Sequence, residues 1–291
     1  MKIRTLKRVL TTALIAGSAS VAAATETAFQ GFYTGVEKGG SFMSGRESVS
    51  TSGNTAIIRF NDSGNINTFS ARALRKNSLA GAVFAGYGGT VWDRFYLAIE
   101  GYYKAANERT NNLDDANSAQ RTGPIVRLLP TLNQDIATQV RTRLRPWELG
   151  ADIRPGIFLT DTFLLFGKIG VAFNELSVKT MTTYTTAASD SFNPLVPVFA
   201  LPVNAQVTEN RQAFTGLRLG LGVEKEILPN LLLRSQYAYT RYRKVQTGGG
   251  NFMSNFVGAP VNSVVNSTIT TSSSTKVRSH AVMMGLSYFW Q

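Results

Sequence analysis

The 291-residue sequence contains no cysteine and a single histidine, His280. Without cysteine there is no disulfide framework and no thiol chemistry, and one imidazole alone leaves zinc short of its usual ligands. Nor does any uninterrupted apolar run approach the ~20 residues that a membrane-spanning helix requires. Acidic residues are in short supply, 18 against 30 lysines and arginines, so the chain carries +12. The glycine run Gly248-Gly249-Gly250 has no lysine behind it, which leaves it a flexible tip rather than a phosphate loop. Asp114 and Asp115 lack the spaced oxygen ligands of a calcium loop and read as solvated loop. No cofactor or metal site is expected.

The N-terminus does carry a short apolar stretch. Lys2, Arg4, Lys7 and Arg8 precede Val9 to Ala16, and small residues follow to Ala22-Ala23-Ala24. A basic start, a brief apolar core and an Ala-x-Ala ending make residues 1–24 a cleavable signal peptide and residues 25–291 the exported domain. Removing the four cations of the signal leaves the exported domain at +8. An exported chain has little occasion to meet nucleic acid, so the expected partners of this charge are lipopolysaccharide, other anionic lipid or a host-surface polyanion.

What the rest of the chain has in abundance is alternation of apolar and polar residues, the period of a strand. Eight segments show it: residues 31–42, 79–89, 95–103, 147–159, 163–178, 214–226, 231–242 and 277–290. The connections alternate as well. Residues 90–94, 160–162 and 227–230 are tight turns, whereas 43–78, 104–146, 179–213 and 243–276 are long and rich in Ser, Thr, Asn and Gly. Short turns on one rim and long loops on the other describe an all-β, antiparallel up-and-down barrel spanning an outer membrane, with four extracellular loops. Residues 56–60 and 66–71, flanking the turn-like Asn61–Asn65, form a hairpin. If that hairpin spans the membrane, the strands number ten rather than eight.

The two parities of each segment differ in kind. One bears Leu97, Ile99, Ile153, Leu165, Ile169, Leu217, Leu219, Leu221 and Leu233. The other bears Glu37, Glu100, Glu148, Asp152, Arg154, Lys168, Arg218, Glu224 and Arg234, interleaved with glycines such as Gly150, Gly170, Gly216 and Gly222. Charges crowded among glycines suit a narrow interior better than a water-facing surface, so these nine are expected to form a lumen network. Trp92, Phe158, Phe163, Tyr288 and Trp290 fall toward the short-turn rim, and Tyr102, Tyr103, Trp147, Tyr239 and Tyr242 toward the loop rim, as interfacial girdles.

The last segment, SHAVMMGLSYFWQ, places Val282, Met284, Leu286, Tyr288 and Trp290 on one face. It resembles the C-terminal signature strand of outer-membrane barrels, with Gln291 displacing the terminal aromatic by one position. With GFYTGVEKGG at residues 31–40 and FYLAIEGYY at 95–103, the chain resembles the small OmpA-like or opacity-type outer-membrane barrel family. The resemblance covers nearly all of the exported domain. It implies recognition of the signature strand by the barrel-assembly machinery and a fold used variously for anchoring, adhesion, evasion of host defences or leakage of small solutes.

His280 lies on the lipid-facing parity near the loop rim, where some outer-membrane enzymes acting on lipid A place a His and a Ser. Here Val282 stands two residues on in the same face, and no acid is placed to orient the ring, so the chain is expected not to be an enzyme. The loops hold much of the basic excess. The second carries Lys104, Arg109, Arg121, Arg127, Arg141, Arg143 and Arg145 against Glu108, Asp114, Asp115 and Asp135. The expected function is a structural or adhesive surface barrel displaying basic loops; a small-solute pore is the alternative, and a lipid-modifying enzyme a remote one.

Overall fold

A computed structural model describes residues 29–57, 62–92, 94–106, 112–122, 131–189, 199–200, 204–258 and 263–290. Residues 1–24, the expected signal peptide, and residues 58–61 lie outside the described residues. Among the described residues there are twelve strands: β1 (Gly31–Ile57), β2 (Asp62–Trp92), β3 (Phe95–Ala106), β4 (Asn112–Thr122), β5 (Thr131–Leu144), β6 (Trp147–Thr160), β7 (Phe163–Ser189), β8 (Phe199–Ala200), β9 (Asn204–Leu228), β10 (Leu231–Tyr242), β11 (Val245–Gly258) and β12 (Ser263–Trp290).

Eight of them close a ring, in the order β1-β2-β3-β6-β7-β9-β10-β12 and back to β1, every pair antiparallel. Two-residue turns join β6 to β7 at Asp161-Thr162 and β9 to β10 at Pro229-Asn230. Asn230 takes a positive φ of 67°, which asparagine tolerates better than most side chains. The 56–71 hairpin does not add two spanning strands. It is the far end of β1 and β2, whose register runs without a break to Ile57 opposite Asp62.

The long connections are themselves largely β-structure. β5 carries the line of β6 past the break at Arg145-Pro146 and pairs with the far half of β7, from Leu144 opposite Leu176 to Thr131 opposite Ser189. β4 pairs with β5, and β11 carries the line of β10 along the far half of β12. Gly248 to Gly250 is therefore a register irregularity within β11, not a loop tip. The outward apolar side chains of β1 span Phe32 to Phe42, about the 9–11 residues of a tilted membrane strand. From there β1 continues to Ile57, and at ~3.3 Å per residue this is a reach of about 50 Å beyond the band.

Burial establishes which face meets what. Leu221, Ile99 and Met284 are 61%, 66% and 59% exposed, while Arg154, Glu224 and Arg234 are fully buried. The outward residues form a continuous apolar belt, far larger than the few hundred Å² that a water-soluble surface carries. Hydrocarbon is the medium that makes such an exterior stable. Trp92, Tyr288 and Trp290 mark the short-turn end of the belt, and Tyr103, Tyr237 and Tyr239 the loop end.

Three aromatics expected in the girdles point inward instead. Tyr102 and Tyr242 are buried, and Phe158 packs against the buried interior cluster. The reason is the two-residue period: Tyr102 and Tyr103 are adjacent in a strand and cannot share a face.

Candidate functional site

The interior is filled in layers. At the short-turn end Phe29 meets Phe158, Tyr96 and Phe289 edge-on, with ring centroids 5.0, 6.5 and 6.0 Å apart. Tyr33 stacks on Phe289 at 4.8 Å, and Leu164, Phe166 and Leu232 complete the cluster. These inward rings lie over glycines of the next strand. A Cβ at Gly150 would meet the Tyr102 ring at 2.5 Å, and one at Gly216 the Tyr242 ring at 2.7 Å.

Above this aromatic floor sits the charge network. Glu100 is its hub, within 2.6 Å of Lys168 Nζ, 2.8 Å of Arg234 Nη1 and 3.1 Å of Arg154 Nη1. Tyr33 donates to Glu100 and accepts from Arg154. Glu224 lies 2.5 Å from Arg234 Nε and 3.0 Å from Arg154 Nη2. Glu37 takes Arg234 at 3.3 Å and the Gln236 amide at 2.6 Å. Asp152 lies 3.2 Å from Arg218 and 3.8 Å from Lys168. The guanidinium groups also lie on rings, Arg234 over Phe84 at 3.8 Å, Arg154 over Phe166 at 4.0 Å and Arg218 over Tyr102 at 3.8 Å.

Strand register accounts for the meeting of these side chains. Arg234 is directly opposite Glu224 across β10 and β9, and Glu100 opposite Asp152 across β3 and β6. Arg218 faces Gly170, Lys168 faces Gly220, and both Glu37 and Arg234 face Gly285, so long side chains reach the axis over positions without one. All nine charges expected in the lumen are buried, and eight of them share this connected cluster.

The ninth, Glu148, lies nearer the loops. It accepts from Lys104 at 2.6 Å, Tyr102 at 3.0 Å and Tyr242 at 2.5 Å. Lys104 was expected in the second loop, but it is the tenth residue of β3 and points inward. With it the charges of these two groups balance, Glu37, Glu100, Glu148, Asp152 and Glu224 against Lys104, Arg154, Lys168, Arg218 and Arg234, while Glu47 is buried farther along β1. Over this layer Val49, Leu144, Leu176, Val178, Phe214, Val245 and Val277 form an apolar cap. The void among Glu37, Glu100, Lys168 and Arg218 is about 10 Å³, room for about one water.

On the outside, His280 Nδ1 is 2.6 Å from the Tyr237 hydroxyl, and its ring is 5.0 Å from that of Tyr239. Val282, Met284, Leu286, Tyr288 and Trp290 face outward along β12, while Phe289 is buried against Tyr33. Of the cations expected in the second loop, Arg145 forms a half-exposed ion pair with Glu175 at 3.4 Å. Arg109, Arg127 and Glu108 lie outside the described residues.

Residues 11–288 match the family model of the outer membrane protein beta-barrel domain. The chain belongs to that family. This outer membrane beta-barrel protein is accordingly placed in the outer membrane, with its apolar belt in the bilayer. No curated protein matches it in sequence. Among solved structures it is similar to the attachment invasion locus protein Ail of Yersinia pestis, at 11% identity over 81% of this chain and 98% of that one, with a TM-score of 0.23. The outer membrane protease OmpT of Escherichia coli is matched at 9% identity over 89% and 96% of the two chains, with a TM-score of 0.24. The toluene transporter TodX of Pseudomonas putida is matched at 9% identity over 87% and 90%, with a TM-score of 0.20. Barrels of three different activities at such low identity leave the particular role of this family member to its own residues.

Proposed function

We propose that this barrel is a non-enzymatic surface protein, with a closed lumen and its working surface in the β-structure raised above the membrane. The observation that carries the reading is the filled interior. An aromatic floor, a balanced network of ten buried charges and an apolar cap succeed one another along the axis. A pore needs a continuous wet path, and charges lining one would have no need to pair. An enzyme needs a nucleophile or metal placed against substrate, and the buried carboxylates here are engaged by cations and tyrosines inside the wall.

Two measurements test the two halves of the proposal. Full-length protein refolded in detergent, with its fold established by heat-dependent gel mobility, is expected to give no unitary conductance steps in a planar bilayer. Reproducible steps would replace the closed lumen with a pore. For the surface role, residues 49–70 are removed and Ser48, which faces Ala71 across the β1–β2 pair, is joined to it by a tight turn. Cells displaying the shortened barrel are expected to lose attachment to host cells relative to cells displaying the full chain at equal surface amounts. Equal attachment would sink the adhesive role of this hairpin.

A further inference from the structure

At the loop end of the belt the barrel wall parts. β9 and β10 stay paired up to Gly216 opposite Tyr242; beyond that point β9 continues along β7 alone, and the line of β10 passes into β11 along β12. One backbone bond, from Arg243 N–H to the Thr215 carbonyl at 2.9 Å, marks the fork. The fork opens an outward cleft of about 620 Å³.

Its lining is one-sided in charge. Arg241, Arg243, Lys244, Lys276 and Arg278 face it, and among the described residues no carboxylate does. Two exposed cations of the raised wall do have carboxylate partners, Arg145 with Glu175 and Arg211 with Glu209 at 2.9 Å. Register makes the contrast sharper. Arg241 stands directly opposite Arg278 across β10 and β12, and Lys276 directly opposite Arg46 across β12 and β1. Like charges facing each other across a sheet are destabilising unless something negative lies between them. The membrane side of the same cleft is apolar, formed by Val171, Phe173 and Leu217, which are 45%, 44% and 55% exposed at the top of the belt.

An amphiphilic anion meets both demands, and a soluble polyanion meets only the first. We propose that this cleft is a binding site for a phosphorylated glycolipid of the outer leaflet. Its phosphates lie among Arg241, Lys276 and Arg278, and an acyl chain lies against Val171, Phe173 and Leu217. The site belongs to the barrel wall and is independent of what the raised loops attach to. Occupied, it screens the two facing cation pairs and ties β9 to β12 across the fork.

The test is native mass spectrometry of full-length refolded protein titrated with bis-phosphorylated lipid A, with dephosphorylated lipid A and with a soluble heparin oligosaccharide. Wild type is expected to retain bis-phosphorylated lipid A and to release the dephosphorylated form. Arg241→Gln/Lys276→Gln/Arg278→Gln is expected to bind it about 100-fold more weakly, on the ordinary worth of three basic side chains at an anionic membrane surface. Arg241→Lys/Arg278→Lys, which keeps the charges, is expected to stay close to wild type and controls for folding. Phe173→Ser/Leu217→Ser is expected to weaken lipid A while leaving heparin unchanged. Equal retention of both lipid A forms, or undiminished lipid A binding by the triple variant, would overturn the site. Heparin binding as tightly as lipid A and competing with it would reassign the cleft to a soluble polyanion and overturn the lipid assignment.

Discussion

Arg234→Ala is expected to lower the unfolding free energy of the barrel in lipid vesicles by about 3–5 kcal/mol, the ordinary cost of removing one partner from a buried ion pair. Arg234 is fully buried and lies against three carboxylates, of Glu37, Glu100 and Glu224. Glu100 keeps Arg154 and Lys168, and Glu224 keeps Arg154, whereas Glu37 loses its ion-pair partner and keeps only the Gln236 amide. The set of ten charges passes from neutral to one net negative charge in a medium that solvates it poorly. Urea titration followed by fluorescence of Trp92, Trp147 and Trp290 reads the effect. Arg234→Ala/Glu224→Gln restores the balance and is expected to recover part of the loss. An unchanged urea midpoint for Arg234→Ala would mean that water already serves these carboxylates, and the closed lumen would fall with it.

The ring of eight strands is legible in the sequence because hydrocarbon outside and charge inside give each strand two chemically opposite parities. Glu100, Asp152, Arg154, Lys168, Arg218, Glu224 and Arg234 all stand out against apolar neighbours one residue away. Lys104 escapes for a local reason. It follows Tyr102-Tyr103, where the alternation loses its contrast, so the segment read from the sequence ends one residue short of it. The inward aromatics are hidden in the same way, since Tyr33, Tyr96 and Phe166 are apolar residues on the polar parity and read as noise in the pattern.

Above the membrane the pattern fails altogether. Both faces of the raised β1 and β12 carry Ser and Thr, as in Ser48, Ser50, Thr51, Thr271, Ser272 and Ser273, so period two has nothing to separate. Backbone pairing between long neighbours holds these segments as strands where composition reads as loop. The basic cleft is invisible for a different reason. Arg241 and Arg278 are brought face to face by a register between β10 and β12 that no local pattern encodes. Burial and register must both be known before two arginines on separate strands become one site.

The same packing logic gives the second large effect, at a position with no side chain. Gly222 lies opposite Phe166 across β9 and β7, and a Cβ there would sit 2.5 Å from the Phe166 ring, 2.7 Å from the Ser235 carbonyl oxygen and 2.8 Å from Gln236 Cβ. A backbone oxygen and two side chains hemmed in by neighbours give little room to yield. The Phe166 ring in turn carries the Arg154 guanidinium at 4.0 Å, so a shift of the ring disturbs the charge network it supports. Gly222→Val is therefore expected to cost about 3 kcal/mol, the upper end for overpacking a filled interior. Gly101 is the control: it faces outward on β3, and a Cβ there meets no atom closer than 4.0 Å. Gly101→Val is expected to leave the urea midpoint within error of wild type, because its added methyls enter the lipid and leave the lumen untouched. Equal midpoints for the two valine variants would show that the interior has slack to absorb a side chain, and that the aromatic floor is looser than its contacts imply.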